Sequence, residues 1–177
     1  MIKTMLAIFL FALPSFAQDQ APVARAAAGC GPSETQFDVK TDKNNHPVAQ
    51  PEAGKALVFV IEEERRDPDY TYIGAVTTRV GLDGAWVGAN HGKSYFFFTV
   101  APGEHNVCVN WQSALGKLAK LGAAVNLTAE TGKVYFFRAS VEERKERQPA
   151  VHLEPVDSAE GQFLISASAH STSSAKK

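Results

Sequence analysis

Between Lys55 and Val156 the chain alternates short apolar runs with turn-forming or charged clusters. The runs are KALVFVIEE (55–63), TTRVGLD (77–83), SYFFFTV (94–100), EHNVCVNW (104–111), AAVNLTAE (123–130), KVYFFRASV (133–141) and AVHLEPV (150–156). Their β-branched and aromatic content, period-two alternation and short spacing predict about seven strands and an all-β fold, a sandwich or small barrel. ALGKLAKLG (114–122) has the spacing of a short helix, which leaves open a mixed fold with a helix over the sheet. DSAEGQFLI (157–165) reads as a short C-terminal helix capped by Asp157 or Ser158, with Phe163, Leu164 and Ile165 docking on the domain.

Turn chemistry punctuates these runs. Asp83-Gly84 and Thr131-Gly132 supply turn geometry between strands. Ala101-Pro102-Gly103-Glu104 places Pro then Gly at the centre of a tight turn, which predicts a hairpin pairing Phe98 with Val107 and Phe97 with Cys108. Alternation then gives one face of Phe96, Phe98, Val107, Val109 and Trp111, the expected core. The second face carries Tyr95, Phe97, Asn106, Cys108 and Asn110 and is too apolar to be left in water.

The ends behave differently. Residues 1–17 put Lys3 before an apolar run from Met5 to Leu13, then Pro14 and small residues, the layout of a signal peptide cleaved between Ala17 and Gln18. That run is too short for a membrane anchor, which needs about 20 apolar residues. No later segment is apolar enough to span, so the mature chain is expected to be soluble in the periplasm or outside the cell. Residues 18–54, rich in Ala, Pro, Asn and Gln, read as an extended arm with order starting near Phe37, ahead of a sandwich domain at 55–166. Residues 167–177, ending HSTSSAKK, read as a disordered tail. The mixed-charge runs 62–69 and 142–147 read as solvated hairpin ends that discourage edge pairing.

Export decides how the two cysteines are read. In an oxidising compartment Cys30 and Cys108 most simply form one disulfide, which by loop-closure entropy is worth about 4 to 5 kcal/mol. A disulfide there would pin the arm across Tyr95 and Phe97. Ala27-Ala28-Gly29-Cys30 has the form of a lipidation box, but Gln18, Asp19, Gln20 and Arg25 separate it from the apolar run, so a lipid anchor at Cys30 lacks its required context. Cleavage removes one of 18 basic residues and none of the 19 acidic ones, leaving a formal charge of −2. That near-neutral balance gives no footprint for nucleic acid or an anionic membrane surface.

Residues 88–94, GANHGKS, resemble a phosphate-binding loop. Such a loop needs four residues between its first Gly and the Gly-Lys-Ser, and a helix after it. Here three intervene, Val87 stands where the Gly should be, and a strand follows, so the stretch reads as a loop entering that strand.

The remaining chemistry is sparse. His46, His91, His105, His152 and His170 show no metal-ligand spacing, so no metal site and no cofactor are expected. Ser94 and Ser113 have no activating partner placed by sequence, and Glu62, Glu63 and Glu64 alternate faces on a strand. Asn126-Leu127-Thr128 is a glycosylation sequon in form only. Trp86, Tyr70, Tyr72 and His91 form the candidate binding surface, since Trp and Tyr join apolar area to a polar tip; packing at the core or rim is the commoner fate of Trp86.

Gly54-Lys55-Ala56-Leu57-Val58, VGLDGAWVGA (80–89), VAPGEH (100–105) and TAETGKVYFFR (128–138) together resemble a family of small exported bacterial domains of unknown function. The V-x-L-D-G…P-G-E-H core is also similar to PEGA-type β-domains of cell envelopes. The resemblance covers roughly residues 54–156 and implies an immunoglobulin-like sandwich, an envelope or secreted location, and no catalytic residue to carry over. The expectation is a non-catalytic exported domain acting by binding or structural interaction, its partner an envelope protein or glycan. The alternative is a hydrolase-type enzyme whose site is assembled from scattered residues.

Overall fold

The computed structural model describes residues 30–63, 75–142 and 149–177. The leader with Ala17 and Gln18, all of the arm before Cys30, and Tyr70 and Tyr72 lie outside the described residues. Among the described residues ten strands form two packed sheets: β1 (Phe37–Asp42), β2 (Ala56–Glu63), β3 (Thr77–Leu82), β4 (Ala85–His91), β5 (Ser94–Val100), β6 (Gly103–Gln112), β7 (Gly122–Ala129), β8 (Val134–Glu142), β9 (Ala150–Val156) and β10 (Ala169–Ala175). One six-stranded sheet runs β1-β10-β5-β2-β8-β9, and a four-stranded sheet runs β4-β3-β6-β7. The fold is the expected all-β sandwich, with two parallel pairs, β2/β8 and β10/β5, inside the larger sheet.

All seven runs read from the apolar pattern are strands, and three more join them. The stretch resembling a phosphate loop is mostly strand β4, paired antiparallel with β3 through a two-residue turn in which Asp83 and Gly84 have φ of 51° and 87°. Positive φ at both positions suits an Asp-Gly hairpin turn. The sandwich also extends past 55–166. Phe37–Asp42 pairs along its whole length with β10, so the arm contributes a strand and the tail, expected to be loose, is ordered. Polar edge strands carry little hydrophobic signal, and here serine hydroxyls do the joining: Ser171 donates to Ser94 Oγ at 2.7 Å, and Ser173 Oγ accepts from the Ala89 N–H at 3.0 Å.

The Pro102-Gly103 hairpin does not form. β5 pairs with β2 and β10, β6 pairs with β3 and β7, and the Pro-Gly link carries the chain from one sheet to the other. A local turn rule cannot see that both edges of each strand are taken by more distant partners. The expected core survives because the two strands face each other from opposite sheets: Phe96, Val107, Val109 and Trp111 are buried together, with Phe98 packed against them. The expected second face is split. Tyr95 and Phe97 lie on the outer side of the six-stranded sheet, Cys108 and Asn110 on that of the four-stranded sheet.

The six-stranded sheet is apolar on both sides, as the nearly unbroken burial of β2 requires. Helix α1 (Ser158–Ser166) covers part of its outer side. Asp157 caps it by accepting from the Glu160 N–H at 2.9 Å. Arg138 on β8 holds Glu160 and Glu154 at 2.6 Å each. Leu164 and Ile165 dock as expected, but Phe163 does not and stays 69% exposed. The segment 114–122 forms only a 3-10 turn at Leu118–Lys120.

Gly161 faces the Phe136 ring, and a Cβ built there would lie 2.3 Å from its Cγ. Gly to Ala inside a helix ordinarily gains up to about 1 kcal/mol. Here overpacking against a fixed ring costs about 1 to 3 kcal/mol and reverses the sign. Gly161→Ala is therefore expected to lower the melting temperature by several degrees in a thermal melt, at about 2 to 4 °C per kcal/mol.

Candidate functional site

The outer side of the four-stranded sheet is crossed by residues 30–37, a strap held at four points. Cys30 is disulfide-bonded to Cys108 on β6, with Cα atoms 5.7 Å apart. Trp86 Nε1 donates to the Pro32 carbonyl at 2.8 Å. Arg79 donates to the carbonyls of Ser33, at 3.1 Å, and Thr35. Gln112 closes the far end, accepting from the Phe37 N–H at 2.7 Å and donating to its carbonyl at 2.9 Å. Every non-covalent anchor reads main-chain groups of the strap.

Arg79 is the centre of this arrangement. The residue is 4% exposed, and burial pushes its guanidinium down from its ordinary range. Among the described residues its contacts are the strap carbonyls, the Asn110 side-chain oxygen and the Trp86 ring, 4.5 Å below the guanidinium carbon. Asn110 in turn donates to the carbonyls of Ala119 and Leu121, both at 2.9 Å. Gly81 is required where the strap lies closest, since a Cβ there would sit 2.2 Å from the Cys30 carbonyl oxygen.

This geometry reassigns the expected binding residues. Trp86 lies under the strap, its ring against Gly31. His91 shares the outer side of β4 but is separate from Trp86; it is exposed, its Nδ1 2.9 Å from Thr77 Oγ1. The disulfide expected to cover Tyr95 and Phe97 forms on the other side of the sandwich, because β5 and β6 belong to different sheets.

Histidines are distributed the same way. His105 Nδ1 lies 2.7 Å from Asp83 Oδ2 and its Nε2 2.8 Å from the Ala101 carbonyl, tying the β3–β4 turn to the inter-sheet crossover. The Asp83 hydrogen bond, aided by the Ala101 carbonyl, holds His105 above the ordinary imidazole range against the effect of burial. For Asp83, burial raises the pKa but is outweighed by the Asn106 N–H and His105, so the carboxyl lies low. Both ring nitrogens thus face acceptors, and neither is open toward a substrate. His152 lies apart, 3.7 Å from Glu142.

A second cluster, invisible in the sequence, lies on the outer side of the six-stranded sheet. Phe59 stacks on Phe136 at 5.2 Å and tilts against Phe97 at 5.3 Å. The Tyr95 ring meets His46 at 6.2 Å and His170 at 5.4 Å, and His170 meets Phe97 at 5.7 Å. Register places Asp42 opposite His170. This aromatic floor is covered by α1 and by loop 43–55, which contributes Ala49. Each cover holds one large apolar side chain in solvent, Phe163 at 69% and Val48 at 90% exposure. Among the described residues no group of three or more His, Cys, Asp or Glu side chains is placed to hold a metal, and no helix is long and apolar enough to cross a membrane.

Residues 52–152 match the family model described as "Protein of unknown function (DUF2846)", and the chain belongs to that family. The matched region runs from the approach to β2 into β9 and leaves out the strap, β1, α1 and β10. No curated protein and no solved structure matches the chain.

Removing the disulfide as Cys30→Ser with Cys108→Ser is expected to cost about 2 to 5 kcal/mol in chemical denaturation. Limited proteolysis of that variant should open at residues 31–36, while binding of an apolar dye stays unchanged because the aromatic floor is elsewhere. The Asp83–His105 pair gives a pH test. Because His105 is raised when folded, its stabilisation is present below about pH 6.5 and lost as pH climbs through the raised value. Asp83 is lowered, so its share is lost only in acid. Melting temperatures of Asp83→Asn and the parent should therefore differ most in weak acid, and the difference should narrow, without vanishing, as pH rises through the raised His105 value.

Proposed function

We propose that this member of the family is an exported, non-catalytic domain of the cell envelope that works by binding. Its contact surface is the outer side of the six-stranded sheet, where α1 and loop 43–55 lie over the aromatic floor. The observation that carries this reading is Phe163. A ring 69% exposed is costly to keep in water, and the helix that carries it is anchored by the Asp157 cap, the Gly161–Phe136 contact and the Arg138–Glu160 pair. An exposed aromatic ring on an ordered helix is the kind of apolar anchor that protein and glycan interfaces use. Export is supported by the leader-like residues 1–17 and by the disulfide, which belongs to an oxidising compartment. The absence of catalysis is supported by the fate of the reactive groups: His105 is enclosed by Asp83 and Ala101, and Arg79 and Arg138 are bound to internal partners.

The hydrolase-type alternative finds its best support where His46, Tyr95 and His170 meet, with Asp42 in register. Each imidazole there packs on a ring, and Asp42 Oδ1 accepts from the Asn44 N–H at 2.8 Å, closing a turn.

The test is capture of partners from intact envelopes, alongside a glycan array, with the mature protein and its Phe163→Ser variant. An exposed substitution should leave stability within about 0.5 kcal/mol. The parent is expected to retain an envelope protein or glycan that the variant releases, at an unchanged melting temperature. Equal retention by both, or capture of nothing, contradicts the reading.

A further inference from the structure

The edge of a sheet presents a row of unpaired N–H and C=O groups, and the edges of this sandwich deal with them differently. β1 carries Asp38, Lys40 and Asp42. β9 carries Glu154 and Pro155, which has no N–H to offer. On β4 the Ala89 N–H is taken by Ser173 Oγ of β10. β7, at the remaining edge, reads GAAVNLTA, with no charge and no proline. Among the described residues no strand lies along its outer side.

Which groups of β7 are open follows from its pairing with β6. The Trp111 N–H donates to the Leu121 carbonyl at 3.0 Å, and the two strands keep one register from Asn110 opposite Gly122 to Gly103 opposite Ala129. Hydrogen-bonded and non-hydrogen-bonded pairs alternate along an antiparallel ladder, so Ala123, Val125 and Leu127 turn their main-chain groups toward β6. Gly122, Ala124, Asn126 and Thr128 turn theirs outward. Thr128 fits that assignment, since its carbonyl accepts from the Tyr135 hydroxyl at 3.1 Å instead of from a strand. On the other side, Lys120 belongs to the 3-10 turn. The open edge is therefore the segment 122–126, its free groups placed symmetrically about Ala124.

We infer that β7 is a dimerisation edge, which pairs antiparallel with β7 of a second copy of this chain about a two-fold axis between the two Ala124 residues. In that register Gly122 lies opposite the partner's Asn126, and Ala124 opposite the partner's Ala124. Each pair exchanges both of its main-chain hydrogen bonds, so every open group of the segment is met. The side chains agree. Ala123 and Val125, half-buried against the core, meet the partner's Val125 and the partner's Ala123, and no charge opposes its own copy. Half-buried Leu121 before β7 and Leu153 on β9, which packs on β7, extend the apolar seam that a second copy covers. The symmetry of the open groups about one residue selects a copy of the segment over an unrelated strand.

Because core-facing residues meet core-facing residues, the axis runs perpendicular to the four-stranded sheet. Both six-stranded sheets then turn their outer sides the same way, and the two Phe163 rings stand on one side of the dimer. Two anchors engaging one envelope strengthen each other through effective concentration. That use rests on the binding reading; the pairing does not, and it is measured with no partner present.

Sedimentation equilibrium of the mature protein over a concentration series is expected to show the average mass rising toward twice the monomer mass. Amide exchange followed by NMR locates the contact. Protection at Gly122, Ala124 and Asn126 should rise several-fold with concentration, while Ala123 and Val125, bonded within the monomer, stay level. Asn126→Lys places on an exposed position the charge that protects other edges; it should weaken association several-fold at an unchanged melting temperature of the monomer. Ala124→Pro removes an N–H that the monomer does not use and should abolish association. A parent that stays monomeric throughout the series overturns the dimer. So does association that leaves the three amides exchanging fast, or that keeps the parent's strength in Asn126→Lys.

Discussion

A sheet that is apolar on both sides has to be covered twice, and most of this molecule follows from that requirement. β2 buries seven of its eight residues, because Val58 and Val60 face the four-stranded sheet while Leu57, Phe59 and Ile61 face outward. The inner side is closed by the second sheet. Among the described residues the outer side is covered by one short helix and one irregular loop. At about 25 cal/mol per Å² of apolar surface removed from water, that covering outweighs the weak intrinsic stability of a nine-residue helix. The covers close over the floor and still leave Phe163 and Val48 in solvent, which separates what the fold needs from what it presents.

The four-stranded sheet solves a different problem. Its outer side centres on a buried guanidinium, and a charge out of water must be matched by hydrogen bonds. Residues 30–37 supply the carbonyls, the Trp86 ring supplies a π face, and the disulfide fixes the register. The strap therefore serves Arg79 as much as Arg79 serves the strap. This is why Trp86, attractive as a ligand-binding residue in isolation, is occupied internally.

Much of the fold could be read from the chain, because period-two alternation reports which side of a strand is buried even when its partner is misjudged. Phe96, Val107, Val109 and Trp111 were legible as core on a pairing that does not exist. The polar strands β1 and β10 were not, since FDVKTD and AHSTSSA bury little and are held by a ladder and by serine hydroxyls. β4 was hidden by Gly88 and Asn90. Gly88 leaves room for the Phe96 ring, which a Cβ would approach to 2.7 Å, and the Asn90 amide donates to the Val60 carbonyl at 3.0 Å. The candidate site was the least legible part. His46 and His170 reach the same Tyr95 ring because β1 and β10 pair, and no local spacing encodes contacts between residues so far apart in sequence.

The claim on which the functional reading turns is that the partner meets the α1 side and not the strap side. Photocrosslinking in intact envelopes tests it, with a photoreactive phenylalanine analogue replacing Phe163 in one protein and the exposed Val87, on the four-stranded sheet, in another. Adducts formed from position 163 and absent from position 87 are the predicted result. Adducts from position 87 alone, or equal yields from both, would contradict it.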